Sequence, residues 1–321
     1  MGTATRAGLQ APRTRGAPAA ALSEAGGGWR RRRHALAPYW FLLPYLVVFA
    51  VFWCWPIIDS ALLSLQNTRV NPWAWNLGIN WRRLLVDRAF QGALKNTLII
   101  LVIQVPVMLT LATLLAVALN SPLLKLRPIY RFAFFAPVVV SDVAYSVVFR
   151  LLFNGQFGAV NHGLAALGLA PIDWLHDPNA AMATIMVAVT WRWTGYNAII
   201  LLAGLQSIPR DLYEAAAIDG ARPWHRFWRI TLPLLTPVVF FNAVIQTIEA
   251  FKAFTPAFII SEGTGGPIDS TLFYTLYLYQ EAFSNFRMGY ASALAWVLVV
   301  IIALFTAFSF LSARYWVHYD E

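Results

Sequence analysis

Pro209-Arg210-Asp211-Leu212-Tyr213-Glu214-Ala215-Ala216-Ala217-Ile218-Asp219-Gly220-Ala221, continuing through Pro223 to Ile230-Thr231-Leu232-Pro233, is a polar stretch between two long apolar runs. Proline and an acid both suit the first turn of a helix, so a helix opens at Pro209-Arg210-Asp211. Leu212 to Ile218 are good helix formers. Asp219-Gly220 stops the helix, because glycine takes the left-handed conformation at a helix end readily. A second short helix is predicted from Pro223 to Ile230. It should end before Leu232-Pro233, since the residue before proline is pushed out of helical geometry. The expected product is helix, sharp turn, helix, lying along a membrane surface. The residues alone also read as an ordinary amphipathic connector, with Trp224, Phe227 and Trp228 in the interface and arginines at headgroups.

The flanking composition demands lipid. Of 321 residues, 59% are hydrophobic and 12% charged, where a soluble domain has about 25% charged. Mean hydropathy is +0.58. Six stretches are long and apolar enough to cross a hydrocarbon core, at roughly 39–65, 93–119, 129–153, 181–205, 235–260 and 290–312. Pro44, Pro56, Pro106, Pro137 and Pro256 within them point to kinked helices around a cavity. The fold class is therefore all-α, with the polar stretch between the fourth and fifth spans. Residues 1–34 read as a basic amino-terminal tail, disordered over 1–28, and 35–321 as the membrane domain. The run from Tyr39 is too long for a signal peptide and reads as a retained first span.

Lys and Arg set the orientation. Arg30–Arg33, Lys125, Arg127, Arg131, Arg210, Arg222, Arg226, Arg229 and Arg314 fall on one side, which should be cytoplasmic together with both termini. The 66–92 loop, with Arg69, Arg82, Arg83, Arg88 and Lys95 in and beside it, departs from that rule. This topology accounts for the net charge of +9 without nucleic acid. Cys54 is the only cysteine, and His34, His162, His176, His225 and His318 are scattered, so no disulfide and no metal site are expected.

Glu214-Ala215-Ala216, then Asp219-Gly220-Ala221 and Ile230-Thr231-Leu232-Pro233, resemble the EAA loop of membrane subunits of ATP-binding-cassette (ABC) importers. From about residue 39 onward the chain is similar to carbohydrate-uptake permeases of the maltose and glycerol-3-phosphate type. Leu202-Ala203-Gly204-Leu205-Gln206-Ser207-Ile208-Pro209 matches the family lead-in. Gly265-Gly266-Pro267, Ala282-Phe283, Gly289-Tyr290-Ala291-Ser292-Ala293, Leu43-Pro44 and Trp55-Pro56 match further along. Two positions depart: Lys252 follows Phe251 where many relatives have Asp, and Phe149-Arg150 stands where relatives often have Trp. The resemblance implies a type I importer membrane domain in a bacterial-type inner membrane. It implies that Glu214, Ala215, Ala216, Asp219, Gly220, Ala221 and Pro233 form the ATPase-coupling segment, with Glu214 paired to a basic group of the ATPase. The partners it implies are two ATPase subunits, a second and distinct permease, and an extracytoplasmic sugar-binding protein.

Ionisable groups at membrane depth cost about 2.5–3.5 kcal/mol on insertion scales, which makes each a candidate for function. Asn242, Gln246 and Glu249 recur at i, i+4 and i+7 as one polar stripe, with Lys252 a turn further on. They read either as a cavity wall for sugar hydroxyls or as an internal ion pair that joins helices. Thr190, Thr194 and Asn197 are predicted to share a face, with Trp193 beside it and Trp191 and Arg192 pointing elsewhere. An aromatic ring beside hydroxyl and amide groups suits a sugar, but tryptophans near membrane boundaries are also interface anchors. Asp142 and Tyr145 either line the same cavity or, for Asp142, pair with Arg192.

The chain contains no G-x-x-x-x-G-K-[ST] phosphate loop. No catalytic residue and no bound cofactor are expected; ATP and Mg belong on the partner ATPases. Two alternative readings make different demands on the sequence. A secondary transporter should show inverted repeats, and no duplication is visible. A multi-pass membrane enzyme should gather acids at one face, whereas Asp173, Asp177, Glu262, Asp269 and Glu281 are spread over two loops.

Overall fold

The computed structural model describes residues 39–70, 73–76 and 78–318. The tail and the Arg30–Arg33 cluster lie outside these residues. Two compact units divide at Asp59/Ser60. The described part of the first belongs to helix α1 (Tyr39–Ser64), of mean hydropathy 2.2. It widens to π form over Ala50–Cys54, ahead of Trp55-Pro56.

In the second unit an antiparallel two-residue pair comes first, β1 (Gln66–Asn67) with β2 (Ala74–Trp75). Helix α2 (Ile79–Val86) leads into α3 (Arg88–Asn120), whose first turn is capped by the Asp87 carboxylate accepting from the Ala89 and Phe90 amides. Next come α4 (Arg127–Val139), α5 (Asp142–Leu152), α6 (Ala159–Ala166) and α7 (Pro178–Ser207), the last capped by Asp177 in the same way. After α8 (Arg210–Ile218), α9 runs from Pro223 to Phe251. It is followed by α10 (Thr255–Ile260), α11 (Tyr274–Tyr279) with a π turn at Gln280–Ser284, and α12 (Met288–Trp316).

Among the described residues five helices are long and apolar enough to cross a membrane, and a bent pair supplies a sixth crossing if counted as one. That pair corrects the third predicted span. The run 129–153 is not one helix: α4 and α5 meet at 98° across Val140-Ser141. Pro137 removes an amide and crowds the turn before it. Three β-branched valines then resist helical continuation, and Ser141-Asp142 is a favourable start for a new helix. The fifth predicted span, 235–260, is also broken. Helix α9 ends at Phe251, and α10 restarts at Thr255-Pro256, with proline in its first turn. The two half-helices that follow the breaks, α5 and α10, pack on each other.

The core lies between α3, α7, α9, α11 and α12, filled by Met108, Ile185, Phe251, Phe273, Tyr274 and Leu294. Val102, Val299, Leu304, Phe308 and Leu311 are exposed, as lipid-facing positions must be. At Gly195 in α7 the backbone of α4 approaches so closely that a Cβ would overlap the Phe134 carbonyl, lying 2.5 Å from its carbon.

A polar brace holds the end of the bundle where α3 begins. The Tyr277 and Tyr290 hydroxyls donate to Asp87 Oδ2 at 2.6 and 2.8 Å. Arg83 stands 3.6 Å from Asp87, 3.4 Å from Glu281 and 4.2 Å above the Tyr290 ring. The buried Glu281 also receives Arg287, at 3.0 Å. Burial pushes the Asp87 carboxyl up, but the two tyrosine hydroxyls, the Phe90 amide and the Arg83 charge outweigh it and hold it below the ordinary aspartate value. A carboxyl held low contributes stability above its unfolded value of 3.8 and loses it as pH falls through the folded value. The wild type should therefore lose thermal stability in detergent from about pH 4 downward, more steeply than Asp87→Asn, which keeps an amide-accepting cap. Identical acid limbs in melting curves of the two proteins would rule this brace out.

Candidate substrate pathway and coupling segment

The two helix breaks meet at one pocket. It is lined by Gln104 of α3, Asp142 and Tyr145 of α5, Trp193 of α7, Gln246, Glu249 and Lys252 at the end of α9, and Thr255 of α10, and encloses about 120 Å³. Irregular backbone at membrane depth is tolerated where it is buried in protein or lines a wet cavity. At each break a freed carbonyl is satisfied from another segment. Arg192 of α7 donates to the Val140 carbonyl. Thr275 Oγ1 of α11 donates to the Ala253 carbonyl at 2.6 Å.

Arg192 also pairs with Asp142 at 2.8 Å and lies 4.7 Å over the Tyr145 ring. The alternative assignment of Asp142 therefore holds along with the first: it lines the pocket and pairs with Arg192. Glu249 and Lys252 pair at 2.8 Å while both remain part-exposed. Trp193 lines the pocket, edge-on to Tyr196 at 5.6 Å.

Other expected residues lie elsewhere. Asn242 is 2% exposed and does not reach the pocket. Asn197 is fully buried and joins α7 to α9 by accepting from Gln246 Nε2 at 3.4 Å. Gln246 thus belongs both to the wall and to the helix contact. Thr194 is not in the wall of this pocket. With Thr190 and Trp191 it lines an adjoining apolar groove of about 650 Å³ between α3, α4 and α7, which shares Gln104 with the pocket, and its hydroxyl is spent on the Thr190 carbonyl at 2.6 Å. Trp191, read as pointing away from the threonines, is beside them. Gln104 was missed. It is 4% exposed and reaches Thr190 Oγ1 at 3.4 Å; its signal was a lone amide in an apolar run two residues before Pro106.

The polar stretch forms an exposed corner. Asp219 ends α8, Gly220 takes φ +76°, the Gly220 amide donates to the Ala217 carbonyl at 3.1 Å, and the Ala221 amide to the Ala216 carbonyl at 2.9 Å. This is the paired 5→2 and 6→1 helix stop. Nothing lies within 4 Å of where a Cβ of Gly220 would stand. Glu214 and Ala215 are exposed and Ala216 is half-buried. Ile218 is 88% exposed. Arg226 Nε donates to the Ala221 carbonyl at 2.8 Å, and the Tyr213 and Thr231 hydroxyls meet at 3.0 Å, so the corner is stiff.

The second helix of the corner does not stop before Leu232-Pro233, contrary to the sequence expectation. It passes through a π turn at Phe227–Thr231, where the Leu232 amide bonds the Phe227 carbonyl, and continues to Phe251. The wider turn removes the clash that Pro233 would make in an α-helix. Pro233 therefore sits half-buried inside α9 rather than at the corner.

The chain matches the family described as binding-protein-dependent transport system inner membrane component over residues 125–317. It is 40% identical over 287 residues to the lactose transport system permease protein LacF of Rhizobium radiobacter, covering 88% of this chain and 96% of the relative. It is 41% identical over 294 residues to the probable ABC transporter permease protein YesP of Bacillus subtilis (strain 168), covering 90% and 94%. A chain of the bacterial alginate ABC transporter, solved in complex with alginate pentasaccharide-bound periplasmic protein, shares the fold with a TM-score of 0.78 at 22% identity, covering 89% and 96%. Fold and relatives together define a multi-pass membrane permease subunit of the ABC-importer class, a transport subunit and not an enzyme. The chain belongs to the family of binding-protein-dependent transport system inner membrane components.

Proposed function

We propose that this chain is one permease half of an ATP-driven sugar importer, that it receives its substrate from an extracytoplasmic binding protein, and that an ATPase subunit docks on Glu214–Ala221 from the cytoplasm. The observation that carries the reading is the continuity of α9, a single 29-residue helix that starts at the exposed corner and ends at the pocket. At 1.5 Å per residue it spans about 43 Å, so a push on the corner arrives at Glu249 and Lys252 as rigid motion. The lactose relative supports the substrate class. So does the pocket wall, which sets the Trp193 ring among amides and a hydroxyl.

Pockets that enclose small molecules run about 300–1,000 Å³, and this one holds about 120 Å³. Passage of a sugar therefore requires the wall to open, which alternating access supplies: closure of two ATPases moves this corner and its counterpart on a second permease. ATP and Mg reside on the ATPases. Arg210, Arg222, Arg226 and Arg229 at the corner support a cytoplasmic placement. Co-purification in mild detergent tests the assembly. The wild type should bring down an ATPase and a second permease, and Glu214→Arg should lose the ATPase while keeping the permease. Recovery of the chain alone in both cases would put the secondary-transporter alternative ahead of this reading.

A further inference from the structure

Among the described residues, each cation at or near the pocket is already paired. Lys252 is held by Glu249 and Arg192 by Asp142, both at 2.8 Å, and Arg150, away from the pocket, is held by Glu262. The ionisable side chains of the wall are Asp142, Glu249 and Lys252, with Arg192 directly behind Asp142. Their charges cancel. The remaining polar equipment is neutral: the Gln104 and Gln246 amides, the Thr255 and Tyr145 hydroxyls and the face of Trp193. A charged solute leaving water needs an opposite charge waiting for it, and among the described residues of this wall none is free.

We infer that this wall passes uncharged sugars and rejects acidic sugars and sugar phosphates, and that Glu249 sets the selectivity by occupying Lys252. The inference rests on the sugar-importer reading above. The two ion pairs are not equivalent. Arg192 is buried, bonded to the Val140 carbonyl and stacked on Tyr145, so it is locked. In the Glu249–Lys252 pair the side chains are 39% and 56% exposed and face the pocket. Lys252 therefore becomes a free ammonium as soon as Glu249 loses its charge.

Saturation-transfer NMR on the full chain, co-purified with its partner subunits, tests this. The probes are lactose, cellobiose and arabinobiose against cellobiouronic acid, digalacturonic acid and glycerol phosphate. In the wild type at least one neutral sugar should saturate, and every acid should bind about tenfold more weakly. Glu249→Gln should shift the acid-to-neutral ratio about tenfold toward the acids, and adding Lys252→Gln should restore the wild-type ratio. A general loss of packing would not be reversed by the second substitution. Acids that bind the wild type as well as neutral sugars overturn the inference alone, as does an unchanged ratio in Glu249→Gln. No saturation by any sugar overturns the sugar reading, and this inference falls with it.

Discussion

A Gly220→Pro chain is expected to reach the membrane at wild-type level and to support no uptake. Gly220 has φ +76°, and proline is confined near −65°. The substitution also removes the amide that donates to the Ala217 carbonyl at 3.1 Å. The corner must then redirect the chain differently, and Glu214, Asp219 and Ala221 no longer present one surface. The apolar helices are untouched, so insertion should survive. Gly220→Ala is the control. Nothing lies within 4 Å of its added methyl, so only the left-handed backbone cost of about 1–2 kcal/mol remains, and most uptake should persist. Sugar accumulation by cells expressing equal amounts of each protein is the measurement. Normal accumulation with Gly220→Pro would refute the coupling role of the corner.

The second large effect belongs to Gly195. Overpacking of a core usually costs about 1–3 kcal/mol. Here the obstacle is the Phe134 backbone and not a movable side chain, so Gly195→Ala should cost at least about 3 kcal/mol. Small residues let membrane helices approach closely, and the loss should separate α4 from α7. The check is the melting temperature of purified protein in detergent, with Gly204→Ala for comparison, since a Cβ there meets only the Val238 and Leu235 side chains. Equal melting of the two variants would contradict the close backbone approach.

The long spans were legible because apolar run length depends only on composition. The α8 stop at Asp219-Gly220 was legible because glycine chemistry is local. The bend at Val140-Ser141 was hidden, since valines on both sides of it keep hydropathy high while disfavouring the helix. Its clue was Ser141-Asp142, a polar helix start in the middle of an apolar run. The fate of Leu232-Pro233 was misread for a related reason: the rule for residues before proline assumes α geometry, and the chain changed geometry instead. The grouping of the candidate pocket residues was half legible. The 3.6-residue period relates side chains on one helix but cannot say which face meets which neighbour. Glu249, Lys252, Gln246, Trp193, Asp142 and Tyr145 converge, whereas Thr194 turns to the apolar groove and Asn242 and Asn197 are buried among helices.

The π turn at Phe227–Thr231 does more than admit a proline. It takes up one residue more than an α turn would, and each residue advances a helix by about 100°. That extra residue sets the azimuth of everything downstream relative to the corner. With an ordinary turn there, Gln246 and Glu249 would swing by about 100°, out of their present register with Asp142 and Trp193. The helix is thus clocked at its base, and the facing of the pocket wall is decided four turns or more away from it.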